Sequence, residues 1–387
     1  MAAPAGRRLI PDMAVAPPAD GEHPEGRANP ARGQNPAGEN PAAAAFFRAA
    51  TACFATAWDR HAAGERWLRI AGRPVCLRFS GERIAEAIAP VFGHLQGVPQ
   101  QTADLTILLW DTASTGVAPP PVPWRPSDLD RVGKARGLCD ARFTTVHEPD
   151  TAQLWMFDRQ TATAVVWVND VDAVPLWDRI HPFRRLLHEW GRGFGADLVH
   201  AGAVGIDGEG VLVVGPGGTG KSTTVLSAMA AGLTAAGDDY VLVDAGSPPT
   251  AHALYGTMRL HQTHLARFPA LMPHHDHVFQ EPWSGRAKVT SYMSSHRPAG
   301  LTAGLRLVGI VIPQVVGDPQ AAVMRETAAR ALLALAPSSM LQIDPTDGDM
   351  FPRLTRLCRL LPCWRLPLGP DLEQIGFTLT RLIRGQG

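Results

Sequence analysis

Large apolar residues begin to recur along this chain only after residue 43. Residues 1–43 are rich in Ala, Pro, Gly and Asn. Such a segment cannot bury enough surface to offset its ordering entropy, so a disordered tail is expected. From Ala44 onward, Phe46, Phe47 and Phe54 in Ala-rich spacing predict a first helix. Short strands are expected at 67–70 and 75–79, joined by the turn Gly72-Arg73-Pro74. Ile84, Ala87, Ile88, Val91, Phe92 and Leu95 then recur at helical spacing, with Ser80 as the N-cap. Further strands are expected at 104–110, 153–157 and 162–168, and a helix over 182–194 carries Phe183, Leu186, Leu187 and Trp190 on one face. Residues 44–195 thus read as an N-terminal α/β module, interrupted by an extended loop at Pro119-Pro120-Pro121 that carries Trp124.

The second block, 196–387, has a different rhythm. A strand is expected over 198–204, with His200 on it, then a turn at 207–210 and the apolar run Val211 to Val214. Next come Gly215-Pro216-Gly217-Gly218-Thr219-Gly220-Lys221-Ser222, a helical pattern from Thr223 to about Ala231, and a turn over 232–237. Asp238 and Asp239 follow at the head of another apolar run, 240–243. Beyond these, strands at 254–260, 286–292 and 305–312 and a helix over 321–335 complete a sheet-and-helix layer. The stretch 261–284 carries His261, His264, His274, His275 and His277 among several prolines. It lacks a helical His-x-x-x-His spacing and reads as a mobile lid or substrate-facing loop.

The glycine segment fits GxxxxGK[ST] between a buried strand and a helix start, where a phosphate cradle requires it. Its glycines let successive N–H groups turn inward, and the helix start adds unpaired donors and the positive end of a dipole. Gly215, Pro216, Gly217, Gly218, Thr219, Gly220, Lys221, Ser222 and Thr223 are the candidate nucleotide contacts. Lys221 is expected on the β and γ phosphates of ATP, and Ser222 on Mg²⁺.

Composition narrows the setting. Charges balance at 36 basic and 36 acidic residues, so no overall field draws the chain to nucleic acid or anionic lipid. Only three of the basic residues are lysines (Lys134, Lys221 and Lys288), which marks Lys288 as a second candidate phosphate-site cation. The five cysteines are scattered and read as free thiols. No apolar run is long enough for a membrane span, and Arg7-Arg8 is followed by no apolar signal core, so a cytoplasmic location is expected.

Taken together, His200, the hairpin after it, Gly215 to Ser222 and Asp238-Asp239 resemble the catalytic core of HPr kinase/phosphorylase and the related kinases of lasso-peptide precursors. The likeness is concentrated in 200–244 and weaker toward the C-terminus, through Pro337-Ser338-Ser339 and Pro362-Cys363-Trp364. It implies a P-loop kinase core of that type, a mixed sheet flanked by helices, preceded by the small α/β module. It also implies transfer from MgATP to a serine of a protein or peptide. Asp238 and Asp239 would be the acidic site, one as general base and the other toward Mg²⁺. Ser222 and Asp239 would then hold the metal, although the division of roles within the pair stays open. His200 would lie near the phosphates, and Lys288 or Arg259 would supply a further cation. A downstream segment for phosphorolysis has no clear counterpart, which argues against HPr as substrate. Two other readings stay open, a nucleotide-gated scaffold without transfer and a small-molecule kinase, as does a homo-oligomeric state.

Overall fold

The computed structural model describes residues 40–281, 285–316 and 322–385. The expected tail therefore lies outside the described residues up to 39. At its end, Asn40 accepts hydrogen bonds from the amides of Ala42 and Ala43 and starts the helix Pro41–His61, three residues earlier than expected. Phe46, Ala50, Phe54 and Ala57 form the buried face of this helix.

The first half builds a six-stranded sheet from β1 (Ala62–Ile70), β2 (Arg73–Ser80), β3 (Leu105–Asp111), β4 (Phe143–Glu148), β5 (Gln153–Asp158) and β6 (Thr163–Val168), in the order β1-β2-β3-β6-β5-β4. β3 lies parallel to both β2 and β6, and a strand in that position needs cover on both faces. Leu108 and Trp110 face Phe46 and Phe54 of the first helix, while Ile107 and Leu109 face Ile84, Ile88 and Phe92. The expected helix after Ser80 begins instead at Glu82, behind Gly81. Near Pro90, which lacks an amide donor, it tightens into the 3₁₀ turn Ala89–Leu95. Trp124 of the proline loop packs edge-on against Phe46, 5.1 Å between centroids, which fastens that loop to the first helix.

The second half adds β7 (Ala196–Val199), β8 (Gly202–Ile206), β9 (Glu209–Val213), β10 (Thr234–Gly237), β11 (Val241–Asp244) and β12 (Thr250–His252). A satellite of β13 (Thr257–His261), β14 (His277–Gln280) and β15 (Ala287–Tyr292) follows, in the order β13-β15-β14. After it come β16 (Gly304–Val315), β17 (Met324–Glu326) and β18 (Cys363–Leu368). The larger sheet has nine strands, running β10-β8-β9-β16-β12-β11-β7 with β18 beside β16 and β17 beside β18. The helices Lys221–Ala230 and Leu372–Ile383 cover one face through Val225, Leu226, Ile375 and Leu379. The helices Ala328–Gln342 and Met350–Leu360 cover the other through Leu335, Leu354 and Leu357. This second cluster is continuous with Leu77, Phe79, Leu109 and Leu186, so the two sheets share a core. The architecture is mixed α/β, with mixed sheets flanked by helices.

Several elements differ from expectation. The strand expected over 198–204 is broken at His200-Ala201, because β7 pairs with β11 while β8 pairs with β9 and β10. The turn expected at 232–237 contains β10, where pairing with β8 outweighs the weak strand propensity of Thr-Ala-Ala-Gly. Within the expected lid, His277–Gln280 is a strand paired with β15, while residues 282–284 lie outside the described residues. The helix expected over 321–335 starts at Ala328 behind the cap Thr327, with β17 standing where its first turns were expected and residue 321 outside the described residues. All five cysteines are free. Among the described residues no helix is long and apolar enough to cross a membrane.

Candidate active site

The chain leaves β9, crosses Gly215 to Gly220 and enters the helix Lys221–Ala230. Gly218 and Gly220 hold φ of 86° and 100°, the left-handed region that disfavours a side chain. A Cβ on Gly220 would also run into Leu368 of β18. Lys221, itself buried, folds back over this loop: its Nζ donates to Gly215 O at 2.7 Å and lies 3.5 Å from Pro216 O. Burial lowers its pKa, and the charges of Asp239 and Asp238 oppose that. Ser222 and Thr223 follow in the first turn, where helix geometry leaves amides without helical partners.

Asp238 and Asp239 sit in the bend between β10 and β11, not at the head of a strand as expected, and their environments differ. Asp238 Oδ2 accepts the Arg259 amide at 3.0 Å, while Oδ1 is buried without a hydrogen-bond partner among the described residues. Burial, and then the neighbouring Asp239, push its pKa up to about 7 against the opposing pull of the Arg259 amide and the Ser222 hydroxyl. For Asp239 burial acts in the same direction, but Arg259, His200 and His181 outweigh it and hold its pKa well below the ordinary range. Arg259 Nη1 lies 2.9 Å from Asp239 Oδ2, His200 Nε2 is 3.7 Å from Oδ1, and His181 Nε2 is 4.0 Å from Oδ2. Two like charges this close are best accommodated with one ionised, and the Arg259 guanidinium selects Asp239.

His200 occupies the break between β7 and β8. Its amide donates to Ser339 Oγ at 3.0 Å, and its ring lies 5.2 Å from that of Tyr240. Burial lowers its pKa, so it is a neutral neighbour of Asp239. Lys288, on β15, pairs at 2.7 Å with Glu281, which also lies 3.4 Å from Arg259 Nη2. The satellite sheet thus brings Arg259 and Lys288 together through one buried carboxylate, with Arg259 alone touching the aspartate pair.

Sequence reasoning missed His181 and Glu281. His181 belongs to the first half, yet its ring sits edge-on between Tyr240 and Tyr255, 5.0 and 5.1 Å from their centroids, and its Nε2 lies 3.3 Å from Thr257 Oγ1. Its neighbours fasten the same segment: Pro182 O accepts from Tyr255 OH at 2.7 Å, and Arg184 donates to Tyr240 OH at 2.9 Å. No local motif marks a histidine for such a place.

The hard-oxygen pair that suits Mg²⁺ is Ser222 with Asp238, whose unpartnered buried Oδ1 is the kind of group a cation satisfies. Asp239, the metal candidate from the sequence, is paired with Arg259. A second group of metal-type donors, His188, Asp197 and Asp347, is bridged by Arg353, which donates to Asp197 at 2.8 Å and to Asp347 at 2.7 Å. It is an ion-pair network that ties the helix Met350–Leu360 to β7.

No family profile and no curated protein sequence matches this chain. Among solved structures it is similar to the Hpr(Ser) kinase/phosphatase from Coxiella burnetii at 14% identity, over 49% of this chain and 97% of that one, with a TM-score of 0.27. At that level of likeness, the site's chemistry is read from this chain's own residues.

Proposed function

We propose that this chain is an ATP-dependent kinase that transfers the γ-phosphate to a serine hydroxyl of a protein or peptide. The observation that carries the reading is the unequal aspartate pair beside a phosphate-type loop: Asp238 keeps one buried oxygen, Oδ1, without a hydrogen-bond partner among the described residues, and Asp239 is held ionised by Arg259. A nucleotide sensor needs the loop but has little use for a second, ionised carboxylate. The choice of a serine on a protein or peptide rests on the resemblance of residues 200–244.

In this reading Lys221 exchanges the Gly215 carbonyl for phosphate oxygens, and the loop amides cradle them. Mg²⁺ would be held by Ser222 and Asp238, and when bound it neutralises phosphate charge. Asp239 orients the acceptor hydroxyl and takes its proton. A strong base is not required, since little proton transfer precedes bond breaking in a loose phosphoryl-transfer transition state. Arg259 and Lys288 supply positive charge beside the transferring group. The test is transfer of labelled γ-phosphate from MgATP into serine-bearing peptides and a lysate of the source cell, with Lys221→Ala alongside. A labelled product absent with the variant supports the proposal, and saturable ATP binding without any labelled product contradicts it.

A further inference from the structure

Between the first sheet and the segment that carries His181 lies a cavity of about 130 Å³. Ile88, Leu109, Trp155 and Val168 contribute to its apolar walls, and His181 and Arg184 line its other side. An apolar cavity of roughly 150 Å³ is enough to take up benzene, so this one matches a single six-membered ring or a branched chain of similar bulk.

The charged groups at its edge are already matched. Arg184 Nη2 lies 2.6 Å from Asp178, and Arg185 Nη1 lies 3.2 Å from Glu148 while also donating to Val132 O. Gln342 Oε1 accepts from Tyr240 OH at 2.5 Å. An anion or a cation entering here would have to break one of these half-buried pairs, so the fit is to a neutral molecule. One polar atom is not matched. His181 is 2% exposed, its Nε2 faces Thr257, and its Nδ1 is buried with no hydrogen-bond partner among the described residues. A buried ring nitrogen left in that state is costly unless something bonds to it.

We infer that this cavity is a binding site for a neutral, benzene-sized apolar molecule carrying one hydrogen-bonding group, which His181 Nδ1 receives. Because the same imidazole stands 4.0 Å from Asp239, the ligand is held one side chain away from the aspartate pair. The binding claim does not depend on the kinase reading. It is measured without ATP, so a failed transfer assay leaves it standing.

The experiment is calorimetric titration of the full chain with phenol and with benzene. Both bind saturably, and phenol binds about tenfold tighter, the worth of one buried hydrogen bond. Val168→Phe, which fills the cavity, weakens both by tenfold or more, and Ile88→Phe is a second filler should the first fail to fold by circular dichroism. His181→Phe keeps the aromatic packing and removes the preference for phenol. Absence of saturable binding, equal affinity for the two probes, or undiminished affinity in the folded filled variant would each overturn the inference.

Discussion

The guanidinium of Arg259 lies 2.9 Å from Asp239 Oδ2, and the two side chains are 10% and 12% exposed. Through its amide, the same residue also holds Asp238. Removing the guanidinium leaves a carboxylate buried and unpaired, so Arg259→Ala should destabilise the protein by about 3–5 kcal/mol. Adding Asp239→Asn to that variant should recover part of the loss. Denaturant midpoints of the two single variants and the double measure this coupling, and strictly additive losses would show that the pair does not interact.

The raised pKa of Asp238, about 7, sets a pH dependence. An unfolded aspartate titrates near ~3.9, so the folded state binds this proton more tightly. The stability it contributes is fully present below that value and is lost as pH rises toward about 7. Mg²⁺ competes with the same proton. Its apparent affinity should therefore rise with pH up to about 7 and flatten above, with close to one proton released per ion bound below that point. Calorimetry in buffers of differing ionisation enthalpy reads the proton count. Asp238→Asn should abolish both the release and the slope.

Two glycines of the loop should behave differently. Gly220 has φ 100° and its Cβ would run into the Leu368 side chain, whereas among the described residues nothing beyond its chain neighbours lies within 4 Å of where a Gly217 Cβ would be. Gly220→Ala should cost at least ~1–2 kcal/mol from backbone strain alone and weaken nucleotide binding. Gly217→Ala should fold with wild-type stability. Thermal melts and ATP titrations of the two variants side by side check this contrast.

How much of this was legible in the sequence depended on how local each requirement was. The Gly215 to Ser222 run could be read directly because a phosphate loop needs its backbone freedom and helix start within a few residues. The strands β2, β3, β5 and β6 were legible for the same reason, through their own apolar runs. β4, with Thr144 and Thr145 at its centre, and β10, with two alanines and a glycine, carry no such signal and owe their existence to strands already in place. Asp238-Asp239 stood out as a pair, but their unequal environments come from Arg259, His181 and Ser222, which only the tertiary fold assembles. Glu281 was hidden likewise, its role set by the pairing of β13, β14 and β15.

His181 offers a test of whether the first half contributes to the site. His181→Phe keeps the ring contacts with Tyr240 and Tyr255 but loses the approach to Thr257 and Asp239. The fold and MgATP affinity should be retained, while turnover falls by on the order of tenfold as Asp239 loses one of the groups that fix its orientation. A fall in nucleotide affinity with turnover unchanged would assign His181 to packing alone.

The most direct measurement is single-turnover transfer of labelled γ-phosphate by Asp238→Asn and Asp239→Asn, with MgATP affinity determined on the same samples. The account predicts that Asp239→Asn binds MgATP normally yet transfers little label, whereas Asp238→Asn loses Mg²⁺-dependent affinity first. Full transfer by Asp239→Asn would contradict it.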